Sequence, residues 1–353
     1  MPLASFSALP PLAELEPRWR ALERIGEASF FLGWTWMGSW LAATGAKPEL
    51  MAITEGGRDI ALALVGRSMQ PRLLGPAATL WLNQSGIPAL DRPYIEYNGL
   101  LRAADAPAET NGVAMQALLK RNDWRALRLS GVLDAAPLAA LGAFRRRVRI
   151  DRSPAYHVDL ETVRAAAGDY LSLLSANTRN QIRRAGREHA PISVSLATTT
   201  DVPEWLQAMQ ALNAGRHSDN AWDDPAFLTF VRILSETGIP SGEVELLRFD
   251  TDAGPIGYLV NFLHRGRAMN YQSAFAPPIS NKDKPGLLCH AAAVGHYADA
   301  GLSLYSLLAG KDRYKESLST GFETLDWWSL ERFSPRLELE ALLRKILRRP
   351  ASV

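Results

Sequence analysis

The sequence is poor in cysteine, in long apolar runs and in net charge, and each shortage excludes a class of protein. Cys289 is the single cysteine among 353 residues, so an internal disulfide is excluded and nothing requires an oxidising compartment. No run approaches the roughly 20 apolar residues of a membrane span. The N-terminus also lacks the basic and apolar regions of a secretion signal. We therefore expect a soluble, cytoplasmic protein without stable membrane insertion.

The charges nearly cancel, because 39 basic and 37 acidic residues leave a formal charge of +2. No global field then attracts nucleic acid or an anionic membrane. A nucleic-acid partner is therefore unsupported, and we expect none.

Motifs of several large enzyme classes are also missing. Neither Gly-x-Ser-x-Gly nor Gly-x-Gly-x-x-Gly occurs, which argues against serine hydrolases and Rossmann oxidoreductases. The run "AGKDRYK" contains Gly-Lys, but Tyr305 stands where a P-loop needs its first glycine, and Asp312 stands where it needs Ser or Thr. His290 and His296 are six residues apart and lie on different helix faces, so we predict no metal site.

The chain is two to three times the usual length of one domain, and its two halves repeat one order of elements. The second half reads as a strand, two helices, three strands and then helix, strand, helix, strand. The first half shows a weaker version of this order. We expect an α/β (α+β) fold with two similar domains, each a mixed, mostly antiparallel sheet flanked by helices. The predicted ranges are a degenerate domain at 1–150, a second domain at 151–335, and a C-terminal helix and tail at 336–353.

The stretch "KPGLLCH" follows the strand-like run "AMNYQSAF" and opens a long helix of small residues. The first backbone N–H groups of a helix have no partner within it, and they lie at the positive end of its dipole. Pro285 suits a first turn, Gly286 lets a phosphate approach, and Lys282 and Lys284 add positive charge. The pattern predicts an anion site, although a plain helix start with solvated lysines explains it as well.

At this point the chain resembles the GNAT acyltransferases, and within them the FemAB-like and CelD-like (cellulose-biosynthesis-type) N-acyltransferases. The resemblance is carried by "LNAGRHSDNAW", "GPIGYLVNFLHRGRAMNYQSAF" and "KPGLLCHAAAVGHYADAGLSLYSLLAGKDRYKESLS", and more faintly by "LLSANTRNQIRRAGRE". It covers most of residues 155–330, with an echo in the first half, and implies tandem GNAT-like domains. The usual signature Q/R-x-x-G-x-G/A is absent, since the chain has "NKDKPGLL" there.

The resemblance implies coenzyme A or acyl-CoA as co-substrate, without a metal. In that superfamily the strand before the helix diverges from its neighbour and pairs with the pantetheine arm, and the helix N-terminus holds the pyrophosphate. The implied donor-binding residues are Tyr271, Gln272, Ser273, Ala274, Lys284, Pro285, Gly286, Leu287, Leu288 and Lys315.

Three catalytic candidates follow from the same resemblance and from acid–base chemistry. Many GNAT enzymes place a tyrosine where Tyr314 stands, to protonate the leaving thiolate, although Tyr314 is equally explained as a packed surface aromatic. His217 or Glu96 is expected to accept the proton of the amine. A histidine at a helix C-terminus and a buried structural carboxylate are the plainer explanations. Relatives often carry Asp in the strand where this chain has Tyr305 and Ser306, so that acid's role has no counterpart here.

For the acceptor we expect Arg179 and Trp222 to bind substrate. Arg179, Arg183 and Arg187 recur every four residues and share one helix face, where they would hold an anionic acceptor or a coenzyme phosphate, or simply face solvent.

The leading hypothesis is an acyl-CoA-dependent N-acyltransferase that modifies an amine of a small molecule or of a cell-envelope precursor. We expect donor binding in the second half and acceptor binding in the cleft between halves. The alternatives are a FemAB-type aminoacyl transferase that uses charged tRNA, and a non-catalytic accessory protein of polysaccharide biosynthesis. The sequence leaves the oligomeric state open.

Overall fold

The structure is a computed structural model that describes residues 1–133, 144–189, 191–216 and 219–347. Its residues cluster into two units. Unit 1 comprises Met1–Leu41, Gly45–Arg152 and Leu325–Val353, and unit 2 comprises Ala42–Thr44 and Ser153–Thr324. The chain passes from one unit to the other within a long strand near residue 152 and returns within another near residue 325.

The helices and strands follow the order expected from the sequence. The first part of the chain contains β1 (Leu3–Ser7), α1 (Leu12–Ile25), α2 (Trp34–Thr44), β2 (Glu49–Glu55), β3 (Arg58–Gln70), β4 (Ala77–Leu82), β5 (Leu101–Arg102), α3 (Thr110–Lys120), β6 (Ala126–Val132) and β7 (Arg146–Asp159). The remainder contains α4 (Leu160–Ala165), α5 (Ala176–His189), β8 (Ser193–Leu196), α6 (Val202–Asn213), α7 (Pro225–Gly238), β9 (Val244–Thr251), β10 (Gly254–His264), β11 (Arg267–Phe275), α8 (Pro285–Asp299), β12 (Leu304–Ala309), α9 (Arg313–Leu318), β13 (Gly321–Glu331) and α10 (Pro335–Leu347).

The two units share one pattern of strand pairing. In unit 1, β1, β2, β3 and β4 pair antiparallel in that order, β4 pairs parallel with β6, and β6 pairs antiparallel with β13. In unit 2, β8, β9, β10 and β11 pair antiparallel, β11 pairs parallel with β12, and β12 pairs antiparallel with β7. A helix connects each parallel pair, as a parallel crossover requires. The expected mixed α/β class, with a mostly antiparallel sheet flanked by helices, is confirmed, although the strands belong to one 13-stranded sheet.

Each unit has its own apolar core. In unit 2 the core joins β9 to β12 with α5 and α8, and the small residues of α8 let that helix lie close to the strands. Gly257 of β10 makes this approach possible, because a Cβ there would lie 2.7 Å from the Cys289 sulfur of α8. The tight contact fixes the height of α8 above the sheet.

Some local expectations were wrong. The aromatic and apolar residues of "YIEYNGLL" favour a strand, but residues 93–100 form a loop and β5 starts at Leu101. The pattern of residues 161–175 favours a single helix, but α4 ends at Ala165. Ala167 and Gly168 then adopt positive φ, and a short 3-10 helix follows at Tyr170–Leu173. β1 was missed, because a five-residue strand with an exposed and half-buried alternation carries little apolar pattern.

Candidate functional site

The parallel strands β11 and β12 stay paired for only three residues. Arg267, Ala268 and Met269 face Leu304, Tyr305 and Ser306, and the described ladder ends there. Beyond Met269, β11 continues to Phe275 along β10, while β12 continues along β7. We call the opening between the diverging ends of β11 and β12 the unit 2 fork. A fork of this kind leaves one edge of a strand available to a ligand.

A β-bulge lies at the start of this open edge. Val260 faces Gln272 and the next residue, Asn261, faces Asn270, so Tyr271 is the additional residue. Side chains fix the bulge: Asn270 Nδ2 donates to Asn261 Oδ1 at 2.9 Å, and Ser273 Oγ donates to Asn270 Oδ1 at 2.9 Å. A β-bulge bends its strand and changes the direction of the side chains that follow.

The peptide groups of alternate β11 residues point into the fork. Ala276 N donates to Ile256 O at 2.9 Å, so the N–H and C=O of Ala276 face β10. Successive residues of a strand direct their N–H and C=O groups to opposite sides, so those of Ser273 and Phe275 point away from β10 and into the fork. Their carbonyls are held by α6 and the loop after it, since Asn213 Nδ2 donates to Ser273 O at 3.2 Å and Arg216 Nη2 donates to Phe275 O at 2.5 Å.

Helix α8 begins beside the end of β11. Pro285 is its first residue, and the capping residue Lys284 makes no side-chain cap. The N–H groups of Gly286 and Leu287 belong to the first turn, where the helix offers no carbonyl partner. We expected the Leu288 amide to be free as well, which was wrong: Leu288 N donates to Lys284 O at 3.2 Å. Two backbone donors therefore remain for an anion.

Glycine at position 286 is required by packing as well as by ligand access. A Cβ there would lie 3.0 Å from the Phe275 ring, which is closer than ordinary van der Waals contact. Gly286 thus lets the helix start lie directly against the end of β11.

A buried carboxylate holds the loop before α8 in place. Asp283 accepts a hydrogen bond from Ile279 N at 2.9 Å, and its other oxygen lies 2.7 Å from His189 Nε2 of α5. With both oxygens bonded, Asp283 fixes the path of the loop into α8.

A cavity of about 630 Å³ opens at this place. It is lined by Arg216, Phe275, Ala276, Pro277, Pro278, Asp283, Lys284, Pro285, Gly286, Leu287, His290 and Tyr314. Its walls are mostly apolar, with exposed cations at Arg216 and Lys284. A pocket of this size, with an apolar wall and a few polar groups, is typical of small-molecule sites.

Two rings form the inner wall of the cavity. Tyr314 of α9 stacks on His290 of α8 with centroids 5.9 Å apart and ring planes at 23°. Tyr314 is 40% exposed and His290 is 1% exposed. Burial, with a smaller contribution from Asp312, raises the pKa of Tyr314 to about 12, so its hydroxyl keeps its proton at neutral pH. Lys315 is turned away to the end of β12, where its Nζ donates to Ala309 O at 2.7 Å.

The comparison with protein families agrees with this geometry. Residues 172–316 match the family model described as "Acetyltransferase (GNAT) domain". This part of the chain is similar to a GNAT acetyltransferase domain. The matched range falls within unit 2 and includes the fork, the start of α8 and Tyr314, so the GNAT resemblance seen in the sequence is confirmed.

Solved structures with a similar fold extend over both units. A conserved protein of unknown function from Bacteroides thetaiotaomicron VPI-5482 is 9% identical, with a TM-score of 0.58, over 93% of this chain and 100% of that one. The C-terminal domain of a putative lysylphosphatidylglycerol synthetase from Agrobacterium fabrum is 12% identical, with a TM-score of 0.58, over 96% and 97%. FemX is 9% identical, with a TM-score of 0.55, over 96% and 99%. At these identities the likeness concerns the fold alone. No curated protein sequence matches the chain.

The structure brings together most of the residues expected to bind the donor. Tyr271 to Ala274 lie on β11 along the fork, and Lys284 to Leu287 form the adjoining start of α8. Tyr314 lines the same cavity. The sequence analysis missed Arg216, Phe275 and His290 as cavity residues, because only the tertiary fold brings their elements together.

Other expected residues lie elsewhere. Glu96 is half-buried in a loop of unit 1, outside the cavity lining. Trp222 is buried in the core, where its Nε1 donates to Gln272 Oε1 at 3.0 Å, so its ring is not offered to a substrate. Arg179 of α5 is half-buried and its Nη1 donates to Ser172 O at 3.4 Å. His217 lies outside the described residues, and α6 ends before it at Asn213.

Two kinds of feature are absent from the residues that the structure describes. No group of three or more His, Cys, Asp or Glu there is arranged to hold a metal ion. Within the same ranges, no helix combines the length and apolar character needed to cross a membrane.

Proposed function

We propose that this protein is an acyl-CoA-dependent N-acyltransferase of the cytoplasm, which transfers an acyl group to an amine of a small molecule or of a cell-envelope precursor. The observation that carries the proposal is the unit 2 fork, which lies beside the start of α8. The first-turn amides of that helix have no carbonyl partner within it. The N–H groups of Ser273 and Phe275 point into the fork and suit the carbonyls of the pantetheine arm, which is itself an amide chain. The amides of Gly286 and Leu287 and the cation of Lys284 suit the pyrophosphate.

The cavity chemistry is consistent with that donor. Its apolar wall at Phe275, Pro277 and Leu287 suits the aliphatic arm, and Arg216 adds a second cation at the rim. Gly286 provides the close approach that a phosphate group needs, since any side chain there would meet the Phe275 ring first. The cavity therefore offers few polar contacts, and those contacts orient the ligand.

In the proposed reaction the amine nitrogen attacks the thioester carbon, a tetrahedral oxyanion forms, and the C–S bond then breaks. The departing thiolate takes a proton from the Tyr314 hydroxyl, and the attacking nitrogen loses its proton to a base. We keep His217 as the proposed base. Because the thiol has an ordinary pKa near 8.5 and Tyr314 a pKa of about 12, the proton moves as the C–S bond breaks, and the Tyr314 phenolate then regains a proton from water.

The test combines a binding measurement with a turnover measurement on the full chain. Calorimetry with coenzyme A should show binding to the wild-type protein. Thiol release from acetyl-CoA should then depend on an added amine, measured over a panel of small amines and amino sugars. Gly286→Ala, which adds bulk without charge, should weaken binding while leaving the fold intact by circular dichroism.

Other outcomes point to the alternatives. Coenzyme A binding without amine-dependent thiol release would favour an accessory protein. Absence of coenzyme A binding together with retention of an aminoacylated tRNA would favour the aminoacyl transferase. The exposed arginines Arg183, Arg184 and Arg187 of α5 offer that polyanion a local basic surface despite the low net charge.

A further inference from the structure

His290 is a buried titratable residue that the reaction outlined above does not use. Its ring lies in the cavity wall between the edge of Phe275, at a centroid distance of 5.7 Å, and the stacked face of Tyr314. Its Nδ1 lies 2.8 Å from the hydroxyl of Tyr305 on β12. Its Nε2 has no hydrogen-bond partner among the described residues, although the ring is 1% exposed. Buried polar atoms are rarely left without a partner.

The hydrogen bond to Tyr305 determines which nitrogen carries the proton. Tyr305 is fully buried, and the bond to His290 is the one described for its hydroxyl. If the hydroxyl donates to Nδ1, the single unsatisfied group is the N–H at Nε2. If Nδ1 donated instead, both the phenol O–H and the Nε2 lone pair would be unsatisfied. The first arrangement leaves fewer buried groups without a partner, so it is favoured.

The ring is also neutral, so only one nitrogen is protonated. Burial, and to a lesser degree the charge of Lys315, lowers the pKa of His290 to about 3. At neutral pH, Nε2 is therefore an uncharged N–H donor at the wall of the cavity.

We propose that the Nε2–H of His290 donates a hydrogen bond to a carbonyl oxygen of the bound acyl donor, with Tyr305 as the positioning residue that fixes the tautomer. This inference rests on the proposed function, since it takes acyl-CoA as the ligand. The Tyr314 ring covers one face of the imidazole, and both side chains line the cavity that would hold the donor. Two kinds of carbonyl are available, the pantetheine amides and the thioester.

The main test is the side-chain nitrogen NMR of the wild-type protein, labelled with ¹⁵N at its six histidines. The His290→Gln spectrum identifies the His290 signals by their loss. In the free protein Nε2 should be the protonated nitrogen. Saturation with coenzyme A, and separately with acetyl-CoA, should shift the resonances of Nε2 and its proton downfield. The resonance of Nδ1 should remain that of an unprotonated nitrogen.

Affinity measurements on variants give an independent readout. The double variant His290→Phe, Tyr305→Phe keeps both aromatic rings and removes the Nε2–H hydrogen-bond donor. It also removes both partners of the His290–Tyr305 hydrogen bond, so neither is left unpaired. Coenzyme A or acetyl-CoA binding by calorimetry should weaken roughly 3- to 12-fold, as expected for one hydrogen bond. His290→Gln, whose side-chain amide can also donate, should recover part of that loss, which a purely structural role would not produce.

The outcomes separate the two claims. A shift with coenzyme A alone assigns the acceptor to a pantetheine amide, and a shift that needs acetyl-CoA assigns it to the thioester oxygen. If calorimetry shows saturation and the His290 signals do not move, or if Nδ1 is protonated, this inference is overturned while the proposed function stands. If neither compound binds the wild-type protein, the proposed donor and this inference both fail.

Discussion

The parallel strand pairs of the two units begin alike and end differently. In unit 1, Thr79, Leu80 and Trp81 of β4 pair with three residues of β6, just as three residues of β11 pair with β12 in unit 2. Beyond its third pair, the unit 2 strand faces a cavity. We call the corresponding place beyond Trp81 the unit 1 fork, and it is filled by the chain itself.

A loop and two asparagines occupy the unit 1 fork. Asn98 Nδ2 donates to Leu82 O at 2.9 Å and Asn98 N donates to Gly131 O at 3.1 Å, so one residue bonds the ends of both β4 and β6. Asn83 Nδ2 donates in turn to Asn98 Oδ1 at 2.9 Å. Gly131, at φ +63°, leaves room for Ile95 O, which a Cβ there would approach to 2.9 Å.

The connections to the following helix explain the difference. Residues 83–109 separate β4 from α3, whereas only residues 276–284 separate β11 from α8. The long connection folds back into its own fork and satisfies the strand ends with protein groups. The short one, whose path Asp283 fixes, brings α8 directly to the fork. There Asn213 and Arg216 bond the carbonyls of Ser273 and Phe275, and a cavity remains beside them. Under the proposed function, one fold would thus supply a structural unit and a binding unit, according to what occupies the fork.

The largest expected effect is on turnover at the unit 2 fork. Tyr314→Phe removes the hydroxyl and keeps the ring stacked on His290, so kcat should fall by about 10² to 10⁴ with donor affinity nearly unchanged. Because the raised pKa of Tyr314 keeps it protonated well above neutrality, the factor should be the same at pH 7 and pH 9. Steady-state thiol release measures this. Tyr94→Phe, in the loop of unit 1, is the matched control, and a wild-type rate in Tyr314→Phe would remove Tyr314 from the mechanism.

A negative charge introduced at the start of α8 should weaken coenzyme A binding. Gly286→Asp places a carboxylate beside the donor's pyrophosphate and a Cβ against Phe275, so coenzyme A affinity should fall about 100-fold by calorimetry. Asn111→Asp puts the same charge in the first turn of α3 and should leave affinity unchanged. Equal losses of coenzyme A affinity in both variants would contradict the proposal that the start of α8, and not that of α3, binds the pyrophosphate.

In the unit 1 fork, the effect should appear in stability instead. Asn98→Ala removes the bonds to Leu82 O and Asn83, leaving buried polar groups unpaired, which costs about 1 to 3 kcal/mol in the free energy of unfolding. Denaturant titration should record that loss, with coenzyme A affinity retained under native conditions. Unchanged stability with lost affinity would contradict the assignment of this fork to structure.

The smallest effect is expected from the exposed lysine at the cavity rim. Lys284→Ala should weaken coenzyme A binding by about 3-fold at low salt, and the difference should shrink as ionic strength rises, because an exposed charge is screened. Lys120→Ala, on α3, serves as the control. A loss that does not depend on salt would indicate a packing role for Lys284 rather than an electrostatic one.

Much of the fold follows from local pattern. The partial alternation of "VELLRFD" and the nearly continuous apolar run of "PIGYLVNFLH" indicate the strands β9 and β10, and Pro-Gly indicates the start of α8. The place of Tyr314 in a short helix after β12 also followed from the sequence. These predictions succeeded because strand alternation and helix starts depend on neighbouring residues alone.

The tertiary structure decided what the pattern left open. Sequence could not show that Trp222 is buried against Gln272, that Leu288 N bonds Lys284 O, or that His290 lies between Tyr305 and Tyr314. The contacts of Trp222 and His290 join residues far apart in the chain. The sequence determined two α/β repeats and one helix start suited to an anion. Only the folded chain decided which fork stays open, because that depends on whether a long loop can return to satisfy the strand ends.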